Sequence, residues 1–162
     1  MRAVLAPLAL LTLSACGLSP MYAGGGSGEV ARGLAAVEVA PIEGRAGWLM
    51  RNALADRLGA AGAESPRYRL DVRLDDELEA LGILADDTVS RERRTLRARY
   101  QLVDIASGEI LLDATDGSDA GIDVVSSEYA TIAAEQAALE NLSQVLADEI
   151  VTRLSLTLRR AQ

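Results

Sequence analysis

Histidine, lysine and phenylalanine are absent from this chain, which holds one cysteine and one tryptophan. Without histidine there is no Ser-His nucleophile pair and no imidazole metal ligand. One thiol, Cys16, cannot close an internal disulfide, so in an exported protein it needs another purpose. No apolar run approaches the roughly 20 residues that a bilayer-spanning helix needs. All 16 cationic residues are arginine, against 24 Asp and Glu, and the formal net charge is −8. Such an acidic chain is a poor nucleic-acid binder, because phosphate contacts dominate that affinity. The carboxylates sit on strand faces and in turns rather than as a catalytic pair. The chain reads as an interaction protein, not an enzyme, with no metal and no cofactor.

What is present starts at the N terminus. Arg2 precedes a run from Ala3 to Leu13 that is apolar except at Pro7 and Thr12. That length suits the apolar core of a secretory signal, about 7–15 residues. Small residues and Cys16 follow, and Leu-Ser-Ala-Cys resembles a bacterial lipobox. The resemblance implies cleavage before Cys16 and lipid attachment to it, so that Cys16 is a membrane anchor. Each buried methylene adds about 0.8 kcal/mol, and two or more chains make membrane residence stable. Gly17, rather than an Asp that would resemble an inner-membrane retention signal, favours the outer membrane on its periplasmic side. Residues 1–15 are thus a signal peptide, and 147 of the 162 residues remain, enough for one domain with a real core. Loss of Arg2 leaves the mature chain at −9. Residues 16–33, with "AGGGSGE", read as a lipidated flexible tether of about 23 Å r.m.s. reach. Residues 34–162 form the domain.

Within it, Leu34 to Pro41 alternates with Ala35, Val37 and Val39 on one face and reads as a strand. Arg45 to Gly62 reads as a helix, with Leu49, Ala53, Leu54 and Leu58 at helical spacing and Gly59 as a stop. Pro66 to Leu84 switches to period two. Tyr68, Leu70, Val72, Leu74 and Leu78 take one face, and charged residues take the other. Ala85 to Thr88 is a turn, Ser90 to Ile105 a second long strand, and Ala106 to Glu109 another turn. A third strand starts at Glu109 and loses regularity at Gly117. Ser127 is a fitting N-cap for a long helix from Glu128 to Arg159, with Leu139, Leu142, Leu146, Ile150 and Leu154 in a stripe. At 1.5 Å per residue it runs about 48 Å, so its last turns are expected to project or bend.

The expected fold is α+β: a two-layer sandwich in the order strand-helix-strand-strand-strand-helix. Its four-stranded sheet is antiparallel or mixed, and two helices lie on one face. The other sheet face is open, and the arginines point there. Arg91, Arg93, Arg97 and Arg99 share one side of one strand; Asp75, Glu77 and Glu79 share that side of its neighbour. A register that sums to 174 sets Asp75 against Arg99 and Glu77 against Arg97. One reading is a solvated, cross-paired sheet face. The other is an anion-binding strip, since the planar guanidinium fork suits phosphate. In that register Arg91 and Arg93 lack acidic partners and are the first candidates. Asp86-Asp87 and Asp116 to Asp123 read as acidic turns, not a calcium loop. Trp48, on an amphipathic helix, reads as core.

Taken together, "SACGLSPMY", "GWLMRNALADRL", "YRLDVRL", "RARYQLVDIASGEILL" and "SSEYATIAAEQAALENLSQVLADEI" resemble, in order and spacing, the LPS-assembly lipoproteins of the LptE family in their alphaproteobacterial-type form. The resemblance covers essentially the whole mature chain. It implies an α/β sandwich and an outer-membrane lipoprotein whose partner is the β-barrel LptD. It further implies plugging of that barrel, help in its assembly, and contact with lipopolysaccharide. Arg91, Arg93, Arg97 and Arg99 match the family's basic contacts by chemistry and strand location only, and the acidic net charge favours the plug role over the carrier role. An auxiliary lipoprotein of an ABC-type phospholipid or solvent transport system is the alternative.

Overall fold

A computed structural model describes residues 28–59, 65–83 and 89–160. Cys16, the segment 1–15 and Asp86-Asp87 lie outside the described residues. The elements run α1 (Glu29–Ala35), β1 (Val37–Val39), α2 (Gly44–Leu58), β2 (Tyr68–Ile83), β3 (Val89–Asp104), β4 (Ile110–Asp123) and α3 (Glu128–Arg160). The four strands form one sheet in the order β1-β2-β3-β4. β1 is parallel to β2, and the other pairs are antiparallel, so the sheet is mixed. The expected α+β sandwich holds, with three helices described instead of two.

The additional helix, α1, replaces the end of the expected tether and the start of the expected first strand, which is only Val37–Val39. Its apolar residues Val30 and Leu34 are one turn apart, and Leu34 is buried. Gly33 lies against the end of α3, where a Cβ would come into ordinary contact with Leu158.

β1, α2 and β2 form a βαβ unit. Gly47 makes its first corner possible: a Cβ at this position would lie 2.5 Å from the Ile42 carbonyl oxygen. Gly59 ends α2 in the left-handed conformation, φ 67°, as its place in the sequence suggests. Met50, Ala53, Leu54 and Leu58 face the core. Trp48 does not. It is 64% exposed, because it falls outside that buried stripe.

The long helix buries the expected stripe of Leu139, Leu142, Leu146, Ile150 and Leu154, and also Ala147, Val151 and Leu158. Two serines share this buried face. Ser143 Oγ donates to the Leu139 carbonyl at 2.8 Å and Ser155 Oγ to the Val151 carbonyl at 2.7 Å, so neither hydroxyl is left unpaired. The C-terminal turns do not project, since Leu158 is buried. The first turns are the looser end, with Tyr129 83% and Ile132 42% exposed.

The core lies between these helices and one sheet face, on Val37, Val39, Leu70, Val72, Leu96, Ala98, Tyr100 and Leu102. β4 continues without a break through Gly117 to Asp123, so the residues expected as an acidic turn, Asp116 to Asp123, are strand.

Candidate functional site

The open sheet face is built on β3, the strand with a long neighbour on each side. Alternation sends Arg91, Arg93, Thr95, Arg97, Arg99 and Gln101 to this face while Leu96, Ala98 and Tyr100 are buried. The β2–β3 register sums to 172, two less than expected: Asp75 opposes Arg97, Glu79 opposes Arg93, and Arg73 opposes Arg99. A slip of two keeps every side chain on its own face, so the faces are as expected while the partners differ.

The arginines find their carboxylates on β4, not β2. Arg91 Nε lies 3.1 Å from Asp123 Oδ1, and Arg93 Nε 3.7 Å from Asp119 Oδ2. Arg99 Nη2 lies 3.2 Å from Asp113 Oδ2, which also accepts from Gln101 Nε2 at 2.8 Å. The Arg99 guanidinium and the Gln101 amide hold the Asp113 carboxyl below its ordinary range. Arg91 and Arg93 are therefore not the spare cations. Arg97 takes that place: among the described residues it forms no ion pair, and its Cγ lies over Gly117, where a Cβ would stand 3.1 Å away. Among the described residues the strands of this face carry six arginines (69, 73, 91, 93, 97, 99) and eight carboxylates (38, 71, 75, 77, 79, 113, 119, 123). It is charge-balanced and is not a basic patch. At the β2 edge, a polar cleft of about 780 Å³ lies between Ala40–Glu43 and Asp71, Arg73, Arg99 and Gln101.

On the helix side, three arginine–aspartate links brace the fold, one within the sheet, one between the two long helices and one between helix and sheet. Arg94 forks onto Asp76, Nη2 to Oδ2 at 2.7 Å and Nε to Oδ1 at 2.8 Å, and donates Nη1 to the Glu135 carbonyl of α3 at 3.0 Å. Arg57 of α2 forks onto Asp148 of α3. Asp116 accepts from both Tyr100 Oη and Arg153 Nη2. Burial and this bond to Asp116 push the Tyr100 hydroxyl well above the usual phenolic range. Among the described residues there is no cluster of metal-ligating side chains. No described helix is long and apolar enough to cross a membrane.

This open-faced sandwich matches solved lipoprotein folds. A protein described as a lipoprotein from Caulobacter crescentus CB15 is 26% identical with a TM-score of 0.69, over 80% of this chain and 96% of that one. A minor lipoprotein from Acinetobacter baumannii shares the fold at 16% identity and a TM-score of 0.60, over 74% and 90% of the two chains. Rare lipoprotein B from Shewanella oneidensis does so at 13% identity and 0.53, over 77% and 96%. No curated protein sequence matches. The deciding match is a family model, LptE, lipopolysaccharide-assembly, over residues 34–154. The chain belongs to the LptE family.

For an LptE-family chain, what the open face can do follows from its pairing. Arg91, Arg93 and Arg99 are held by their own aspartates, so an external anion must compete with an ion pair to reach them. Arg97 is open to a ligand without that competition. The sequence alone hides this, because the choice of partner rests on β4, whose second half reads as a turn. Arg94 and Asp116 were missed as layer-tying residues. The signal was there for Arg94: its even number puts it on the core face, where a cation requires a partner.

Proposed function

We propose that this chain is an outer-membrane lipoprotein subunit of the lipopolysaccharide transport and assembly machinery. Cys16 carries the lipid on the periplasmic side after residues 1–15 are removed. The partner is an LptD-type β-barrel, which the chain plugs and whose assembly it assists. The observation that carries this reading is the LptE-family match across residues 34–154. Two features of the chain support it. The lipobox-like Leu-Ser-Ala-Cys supplies an anchor. The open sheet face is polar and charge-balanced along strands of 14 to 16 residues, a surface that suits the polar lumen of an outer-membrane barrel. Direct contact with lipopolysaccharide is the lesser part of the role, and Arg97 is its first residue, with Arg91, Arg93 and Arg99 beside it.

The test is a pull-down of the tagged, lipidated protein from detergent-solubilised outer membrane, with mass spectrometry of its companions. A stoichiometric barrel of the lipopolysaccharide-assembly type is expected. Inner-membrane permease components in its place would overturn the reading in favour of a transport-accessory lipoprotein.

A further inference from the structure

The sheet has an edge, on β2 beyond Leu70, that no described strand pairs with; the Ala40–Glu43 segment faces only its start, at Val72 to Leu74, across the polar cleft. β1 pairs with β2 only at Tyr68, Arg69 and Leu70. There, the Tyr68 N–H donates to the Ala36 carbonyl at 3.1 Å, and the Leu70 carbonyl accepts from the Ala40 N–H at 3.0 Å. Even-numbered residues of β2 thus aim their backbone polar groups away from β3. By strand alternation, the N–H and C=O groups of Val72, Leu74, Asp76, Leu78 and Ala80 aim the same way, and no described strand receives them. This free edge runs about 30 Å at 3.3 Å per residue. Long open edges are templates for a further strand, and proline, bulges, charges or a cover are the usual ways of blunting them. From Tyr68 to Leu81, β2 has no proline, its register with β3 is regular up to Ala80, and its charges leave the main-chain groups open to an oppositely charged strand.

The side chains along this edge have a definite character. Because Arg91, Arg93 and Arg99 pair with β4, the β2 carboxylates Asp75, Glu77 and Glu79 form no ion pair among the described residues. Leu78 and Leu81, beside them, are each 45% exposed. The edge therefore offers three things together: main-chain groups with no strand partner, three carboxylates that form no ion pair among the described residues, and accessible leucine. A second copy of this chain is a poor occupant, since pairing β2 with β2 would set carboxylate against carboxylate. The β4 edge lacks this demand, because Asp113, Asp119 and Asp123 are already paired.

We propose that the free edge of β2, from Val72 to Ala80, receives an extended segment of the partner protein by strand addition, and that this segment carries arginine or lysine at alternate positions. Main-chain hydrogen bonds hold the added strand, and Asp75, Glu77 and Glu79 select it by charge. Naming the barrel as the source of the segment rests on the function proposed above.

The experiment places photo-reactive benzoylphenylalanine at position 75 of the full-length lipoprotein in growing cells, irradiates them, and maps the cross-linked peptide by mass spectrometry. A matching probe at position 113 on the β4 edge serves as comparison. The expected result is a position-75 adduct on an extended segment of the barrel that bears at least two basic residues. The double substitution Glu77→Arg with Glu79→Arg lowers that adduct at least tenfold, while the variant melts within a few degrees of the parent. An adduct on such a basic segment of another envelope protein, with none on the barrel, keeps the strand addition and sinks the barrel reading. No position-75 adduct, an adduct on a second copy or on an acidic segment, or no effect of the double substitution overturns strand addition. The pull-down then still decides the barrel reading by itself.

Discussion

Asp75 and Arg97 are direct neighbours across β2 and β3, and yet they form no ion pair. Arg97 leans its stem over Gly117 on the opposite side. This leaves Arg97, like Arg73 of β2, without an ion pair among the described residues, on a face whose other arginines on β2 and β3 each hold an aspartate.

If lipopolysaccharide touches this face, Arg97 is where a substitution matters. Arg97→Ala is expected to weaken lipopolysaccharide retention about tenfold, the loss of one charge-assisted hydrogen bond of roughly 1.5 kcal/mol. Arg91→Ala and Arg93→Ala should change it less, since each arginine must first leave an aspartate. A binding series on the purified lipidated protein checks the order. Equal losses at all three positions would rule out the pairing argument.

The Arg94–Asp76 fork is a stability element. Both side chains are mostly covered, at 16% and 25% exposure. Asp76→Ala would strand the guanidinium under α3 and is expected to cost about 2 kcal/mol, less than the roughly 3–5 kcal/mol of a fully buried pair because both side chains keep some contact with water. That corresponds to a Tm drop of roughly 5–10 °C. Replacing both residues by leucine should cost less than Asp76→Ala alone, because no charge is then left without a partner. Calorimetry on the three variants decides.

Gly47→Ala tests the corner between β1 and α2. The added methyl would sit 2.5 Å from a backbone oxygen, where a flexible side chain cannot give way. A loss of about 1–3 kcal/mol is expected, from the overpacking range, and chemical denaturation measures it. An unchanged midpoint would mean that the corner yields freely.

Alkali should separate Tyr100 from the rest of the molecule. Its hydroxyl pKa is raised in the fold by burial first and by the Asp116 bond second. A group with a raised folded pKa keeps its stabilising effect below the unfolded value, about 10 for tyrosine. It loses that effect as pH climbs from there towards the folded value. The parent is therefore expected to weaken above about pH 10, and Tyr100→Phe to weaken less steeply over the same range. Melting temperatures from pH 8 to 11 would show parallel curves if Tyr100 plays no part. At the acid end the slope has the opposite sign. The carboxyls of Asp113 and Asp148 are depressed by Arg99 and Arg57, so what they contribute is present above about pH 4 and fades as pH falls through their lower folded values.

Much of this molecule is written in residue periodicity. The leucine stripe of α3 and the period-two strands β2 and β3 follow from side-chain spacing, because a helix repeats every 3.6 residues and a strand every two. Those periods also place the arginines on one face. Three local features misled for physical reasons. In α1, a seven-residue helix directly follows a glycine-rich stretch, and it overlaps an alternating run that begins at Ala35. Trp48 looks like core by composition, yet it lies off the buried stripe. Gly117 looks like a strand breaker, and in place it makes room for the Arg97 side chain.

By itself, the sequence determined which side chains share a face, which segments are apolar on one side, and that the chain resembles its family over essentially the whole mature length. Only the tertiary structure decided who pairs with whom. A register shift of two residues leaves every face unchanged, so alternation cannot choose between Asp75–Arg99 and Asp75–Arg97. That choice came from the packing of the whole sheet. With it came the binding of the arginines to β4, and a β2 edge whose carboxylates Asp75, Glu77 and Glu79 form no ion pair among the described residues.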